Sequence, residues 1–80
     1  MSIPPQAYAG ARLAAEVGER VREAREAAGV SQRELARRMA TSQAAIVRLE
    51  AGGVGATLTT LQRAAAALGL EVNVELRPSA

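Results

Sequence analysis

Two Ser-Gln pairs, Ser31-Gln32 and Ser42-Gln43, stand eleven residues apart and each marks a helix start. Ser31-Gln32-Arg33-Glu34 has the spacing of a capping box. In that device the Ser hydroxyl accepts from the third backbone N–H and the Glu reaches back. Leu35 and Met39 then give an inward face, and the helix is expected to run to about Met39. Thr41 or Ser42 caps the next helix, whose inward residues are Ala45, Ile46 and Leu49. Gly52-Gly53-Val54-Gly55 closes it in a flexible loop. A chain punctuated this way must build two consecutive short helices around a tight turn at Ala40-Thr41.

The flanks extend the helical pattern. Leu13, Val17, Val21 and Ala24 recur at three- and four-residue spacing, which predicts a helix from about Ala11 to Ala28. Gly29 is its stop, with Val30 available for the accompanying apolar contact. Pro4-Pro5 cannot be helix interior, so residues 1–10 read as a flexible arm. Thr57 caps a fourth helix, Leu58 to Leu68, with Leu58, Leu61, Ala65 and Leu68 on one face, and Gly69 stops it. The period then changes. Leu70, Val72, Val74 and Leu76 alternate with Glu71, Asn73 and Glu75, a β-strand signature over residues 70–77, followed by a tail at 78–80. A lone strand leaves its backbone groups unpaired. The economical partner is the same strand of a second copy. The expected fold is therefore mainly α: a bundle of four to five helices over residues 11–69, with a C-terminal strand paired across a homodimer through Leu70, Val72, Val74 and Leu76.

Composition removes most chemistry. Eighty residues make one small domain. With no Cys there are no disulfides and no Cys-based metal sites, and with no His the commonest general base and metal ligand are gone. The Glu residues of the first helix form no evident catalytic dyad, and there is no Gly-rich phosphate loop. No enzyme, catalytic residue, metal or cofactor is expected. The N-terminus lacks the basic and apolar regions of a secretory signal, and no apolar run approaches membrane length. The expected location is the cytoplasm. All ten basic residues are Arg, yet the net charge is only +2. Their placement says more: between Ser31 and Gly52, Arg33, Arg37, Arg38 and Arg48 outnumber Glu34 and Glu50.

Two helices of about eight to ten residues joined by a tight turn fit a helix-turn-helix. If Ala45, Ile46 and Leu49 face inward, Gln43, Ala44, Val47 and Arg48 share the outward face. Gln can pair with adenine N6 and N7, and Arg with guanine or a phosphate. Ala and Val methyls can meet thymine methyls. The preceding helix would place its N-terminus on the DNA backbone, where Gln32 can bond a phosphate and brace Gln43 from behind. Arg33, Arg37 and Arg38 can equally be a solvated face.

The combination Val17-Gly18-Glu19-Arg20-Val21, Arg25, Gly29-Val30-Ser31-Gln32-Arg33-Glu34-Leu35-Ala36, Ser42-Gln43-Ala44-Ala45-Ile46 and Leu49-Glu50-Ala51-Gly52 resembles the Xre/Cro-type helix-turn-helix family of phage repressors and bacterial regulators. The resemblance spans roughly residues 16 to 70. It implies a lambda-repressor-like bundle, DNA contacts by Gln32 and Gln43, and a structural ion pair between Arg25 and Glu50. Together with the outward face of the second helix, the candidate interface comprises Gln32, Arg33, Ser42, Gln43, Ala44, Val47 and Arg48. The tail is similar to that of small Xre-type antitoxins, which implies a homodimeric bacterial repressor on a palindromic operator, autoregulating its operon beside a cognate toxin. A stand-alone or phage-type repressor is the alternative, as is an interaction module that has lost DNA binding. One departure bears on that choice. The loop Gly52–Ala56 usually carries polar or basic residues in the family, and here holds only Gly, Val and Ala.

Overall fold

Among the described residues four α-helices follow one another: α1 (Pro5–Ala27), α2 (Gln32–Arg38), α3 (Gln43–Glu50) and α4 (Leu58–Ala67). The structure is a computed structural model that describes residues 5–53 and 55–78, with side chains from residue 11 onward. Residues 1–4 of the expected arm, Val54 of the loop and residues 79–80 of the tail lie outside the described residues.

Local chemistry sets the boundaries. Ser31 Oγ accepts from Glu34 N at 3.0 Å, Ser42 Oγ from Ala45 N at 3.1 Å, and Thr57 Oγ1 from Thr60 N at 3.2 Å. Each hydroxyl satisfies one of the orphan amides of its first turn. The helices also stop alike. After each, two backbone N–H groups fold back onto carbonyls of the last turn, as in Thr41 N to Ala36 O at 2.9 Å and Ala40 N to Arg37 O at 3.1 Å. This closure needs a left-handed residue. Gly52 provides it after α3 at φ +76°, but after α2 the position is Ala40, at φ +54°.

The capping box is only half made. Glu34 does not turn back to the Ser31 amide; its carboxylate takes Arg37 and Arg38 instead. Two charged donors on the same helix face outcompete one neutral amide.

Packing places α1 against α3 and α4, and α2 against the same pair. The core is aliphatic: Val17, Val21, Val30, Leu35, Ala36, Met39, Ile46, Leu49, Ala56 and Ala64. Leu35, Ile46 and Val21 are its most deeply buried large side chains. Two leucines assigned inward by periodicity are not there. Leu13 and Leu58 are exposed. On α1 the inward stripe runs through Ala14, Val17, Gly18 and Val21, which leaves Leu13 at its edge. On α4 the centre of the stripe is Ala64, fully buried between Leu61 and Leu68, and Leu58 begins the helix beside the loop.

Both ends depart from the sequence reading. The helix starts at Pro5, so residues 5–10 belong to α1 rather than to an arm. Proline is well suited to the first helical position, where its missing N–H would be unsatisfied anyway. Residues 70–78 form no strand; they follow α4 without regular secondary structure. A single chain supplies no neighbouring ladder for them.

Candidate nucleic-acid interface

α3 divides its residues between two environments. Ile46 and Leu49 are buried, and Ala45 is half-buried against the rest of the bundle. Gln43, Ala44, Val47 and Arg48 are exposed. At about 100° per residue these four occupy one continuous arc, with Gln43 at one edge and Arg48 at the other, about 140° apart. Ser42 begins the helix and spends its hydroxyl on the cap. The outward arc therefore offers an amide, two small apolar groups and a guanidinium, on a helix held from behind.

A shallow concavity of about 530 Å³ borders the Gln43 edge, lined by Arg25, Ser31, Gln32, Arg33 and Gln43. It brings the two Ser-Gln helix starts together. Its floor is a hydrogen-bonded network. Arg25 Nε donates to Glu50 Oε2 at 2.6 Å and Arg25 Nη2 to Glu50 Oε1 at 3.0 Å, while Arg25 Nη1 donates to the Val30 carbonyl at 2.9 Å. The two side chains are only 12% and 5% exposed. The Glu50 carboxylate raises the pKa of the Arg25 guanidinium above its usual value. One ion pair thus ties α1, the turn before α2 and the end of α3.

Gln32 joins this network rather than bracing Gln43. Its Nε2 donates to Glu50 Oε1 at 3.1 Å. A carboxylate is the stronger acceptor. The bond fixes the amide orientation and leaves the Gln32 carbonyl oxygen and one N–H for other partners.

A second, narrower cleft of about 180 Å³ borders the Arg48 edge. It is lined by Met39, Thr41, Ala45, Ile46, Arg48, Leu49, Gly55, Thr60 and Arg63. Arg63 reaches across it from α4, with Nη2 donating to the Met39 carbonyl at 3.0 Å. Sequence reading missed Arg63, because its single position on α4 carries no motif and only packing brings it beside α3.

The remaining arginines separate by pairing. Arg37 and Arg38 are committed to Glu34, whose carboxyl they hold down to about 2 from an ordinary 4.5. Among the described residues, Arg33 and Arg48 form no ion pair and are exposed.

Gly18 was also invisible as anything but part of a pattern. α1 crosses the end of α3 so closely there that a Cβ would collide with the Leu49 carbonyl and lie 2.8 Å from the Glu50 carbonyl oxygen. That approach is what delivers Arg25 to Glu50.

No helix among the described residues is long and apolar enough to cross a membrane. No curated protein and no solved structure matches the chain. A helix-turn-helix family model matches residues 21–74, well over half of it, and covers α2, α3, α4 and the ion pair that joins them to α1. The chain belongs to the Xre/Cro-type helix-turn-helix family of DNA-binding transcription regulators.

Proposed function

We propose that this regulator is a sequence-specific repressor that binds a palindromic operator as a homodimer. The observation that carries the reading is the outward arc of α3, where Gln43, Ala44, Val47 and Arg48 are exposed together on a capped helix whose other side is in the core. In the major groove Gln43 reads adenine, Ala44 and Val47 meet thymine methyls, and Arg48 meets guanine or a phosphate. Gln32, Arg33 and Ser42 border the phosphates at the α2 and α3 starts. Leu70, Val72, Val74 and Leu76 pair with their copies in a second chain. The exposure of Leu70, Val74 and Leu76 in the single chain supports that role. The likeness of the tail to those of small antitoxins supports an autoregulating antitoxin over a stand-alone repressor; co-purification with the product of an adjacent gene separates the two.

The test is a gel shift on the DNA upstream of the protein's own gene, beside random duplex. Gln43→Ala should weaken specific binding by about 1–3 kcal/mol and leave random-duplex binding nearly unchanged. Equal losses on both would count against base reading. Absence of any shift would favour an interaction module, a reading that the bare Gly52–Ala56 loop also supports.

A further inference from the structure

We infer that the α3–α4 cleft is a phosphodiester site, in which Arg63 and Arg48 grip the DNA strand on the side of α3 away from Gln32. The inference rests on the DNA-binding reading and deepens it. Of the ten arginines, Arg20, Arg22, Arg25, Arg37, Arg38 and Arg77 have a carboxylate within ion-pair distance. Among the described residues, Arg12, Arg33, Arg48 and Arg63 have none. Three of these four line the two hollows that flank α3: Arg33 on the Gln43 side, Arg48 and Arg63 on the other.

A helix in a major groove runs between two phosphate strands, and the groove is about 12 Å wide, close to the diameter of the helix itself. A helix-turn-helix therefore needs cationic or amide donors on both flanks. On the α2 flank they are Gln32, Arg33 and the α2 start. On the α4 flank the loop Gly52–Ala56 has no polar side chain to offer. The cleft beside it supplies what the loop lacks. Arg63 spends one N–H on the Met39 carbonyl, which anchors the guanidinium and leaves its other donors free. Thr41 and Thr60 line the same opening, and Gly55 lets a backbone approach the rim without a side chain in the way. Met39, Ile46 and Leu49 form an apolar floor, where a charge-assisted bond meets less competition from water.

The experiment measures affinity for random-sequence duplex over a salt series, with wild type, Arg63→Gln, Arg63→Lys and Arg12→Gln, each with a thermal melt. Arg12 lines neither hollow. Arg63→Gln should bind about tenfold more weakly at moderate salt, and its slope of log K against log salt should be shallower by about one unit. Arg63→Lys should keep the slope, and Arg12→Gln should match wild type. A lowered melt with an unchanged slope in Arg63→Gln would make Arg63 only a clamp between α4 and α2 and overturn the proposal. Tight binding of inorganic phosphate by wild type in calorimetry, lost in Arg63→Gln while the slope stays unchanged, would assign the cleft to a free anion and overturn the DNA source. A wild type that binds no duplex at all removes the DNA reading itself, whereas wild-type binding with an unchanged Arg63→Gln slope removes only the cleft.

Discussion

Gln32 and Glu50, eighteen residues apart in the chain, meet at 3.1 Å between Nε2 and Oε1. The bond attaches the first Ser-Gln helix start to an ion pair that also holds the end of α3 and the last turn of the long α1. The exposed arc of α3 and the start of α2 are therefore tied to one carboxylate.

Removing either Arg25 or Glu50 should cost about 3–5 kcal/mol, since each leaves a buried charge without its partner. Replacing both by alanine should cost clearly less than the sum of the two. A double-mutant cycle by urea denaturation measures the coupling, and simple additivity would refute the contact as an energetic unit.

Glu34 should make α2 sensitive to acid. Its carboxyl titrates at about 2 in the fold, chiefly through the hydrogen bonds from Arg37 and Arg38, against an ordinary 4.5. A depressed carboxyl stabilises the fold at all pH values above its unfolded pKa and loses that contribution as pH falls toward its folded one. The melting difference between wild type and Glu34→Gln should hold steady from pH 7 to about 5. It should shrink below about 4.5 and vanish near 2, because a protonated Glu resembles Gln. A difference that persists unchanged at pH 2 would contradict the bonding. The group is exposed, so the effect is small.

Gly18→Ala and Ala40→Gly should shift stability in opposite directions. At Gly18 the gain in helix propensity is about 1 kcal/mol. The added Cβ, however, strikes the carbonyls of Leu49 and Glu50, which are backbone and cannot swing away. Overpacking of this kind costs about 1–3 kcal/mol, so the melting temperature should fall. At Ala40 the left-handed backbone costs alanine about 1–2 kcal/mol, more than the extra chain entropy glycine loses on folding. Ala40→Gly should therefore raise the melting temperature by a few degrees. Thermal melts of the two variants beside wild type check both signs.

Deleting Glu71 to Ala80 should give a folded or marginal monomer with much weaker operator affinity. Pairing two tails would satisfy their backbone groups and set the two α3 helices about 34 Å apart, one turn of DNA. Val74→Pro should act likewise, by removing a ladder N–H. Sedimentation equilibrium beside a gel shift is the measurement. A truncated protein that stays dimeric and binds normally would place the interface elsewhere, most plainly on α4.

What the sequence determined by itself was whatever a few neighbouring residues decide. Ser31, Ser42 and Thr57 each start a helix through a hydroxyl and an amide three residues on. The glycines after α1, α3 and α4 end helices through their own backbone freedom. The outward arc of α3 follows from the spacing of Ile46 and Leu49 alone. Tertiary structure decided the rest, because those contacts have no sequence period. Whether Gln32 turned to Gln43 or to Glu50 depended on where α1 brought the Arg25–Glu50 pair. Gly18 matters only because another helix end lies against it, and Arg63 only because α4 packs beside α3. The alternating tail shows the limit from the other side: its period favours a strand, but a strand forms only when a second one completes its hydrogen bonds, and the described residues of one chain hold no second.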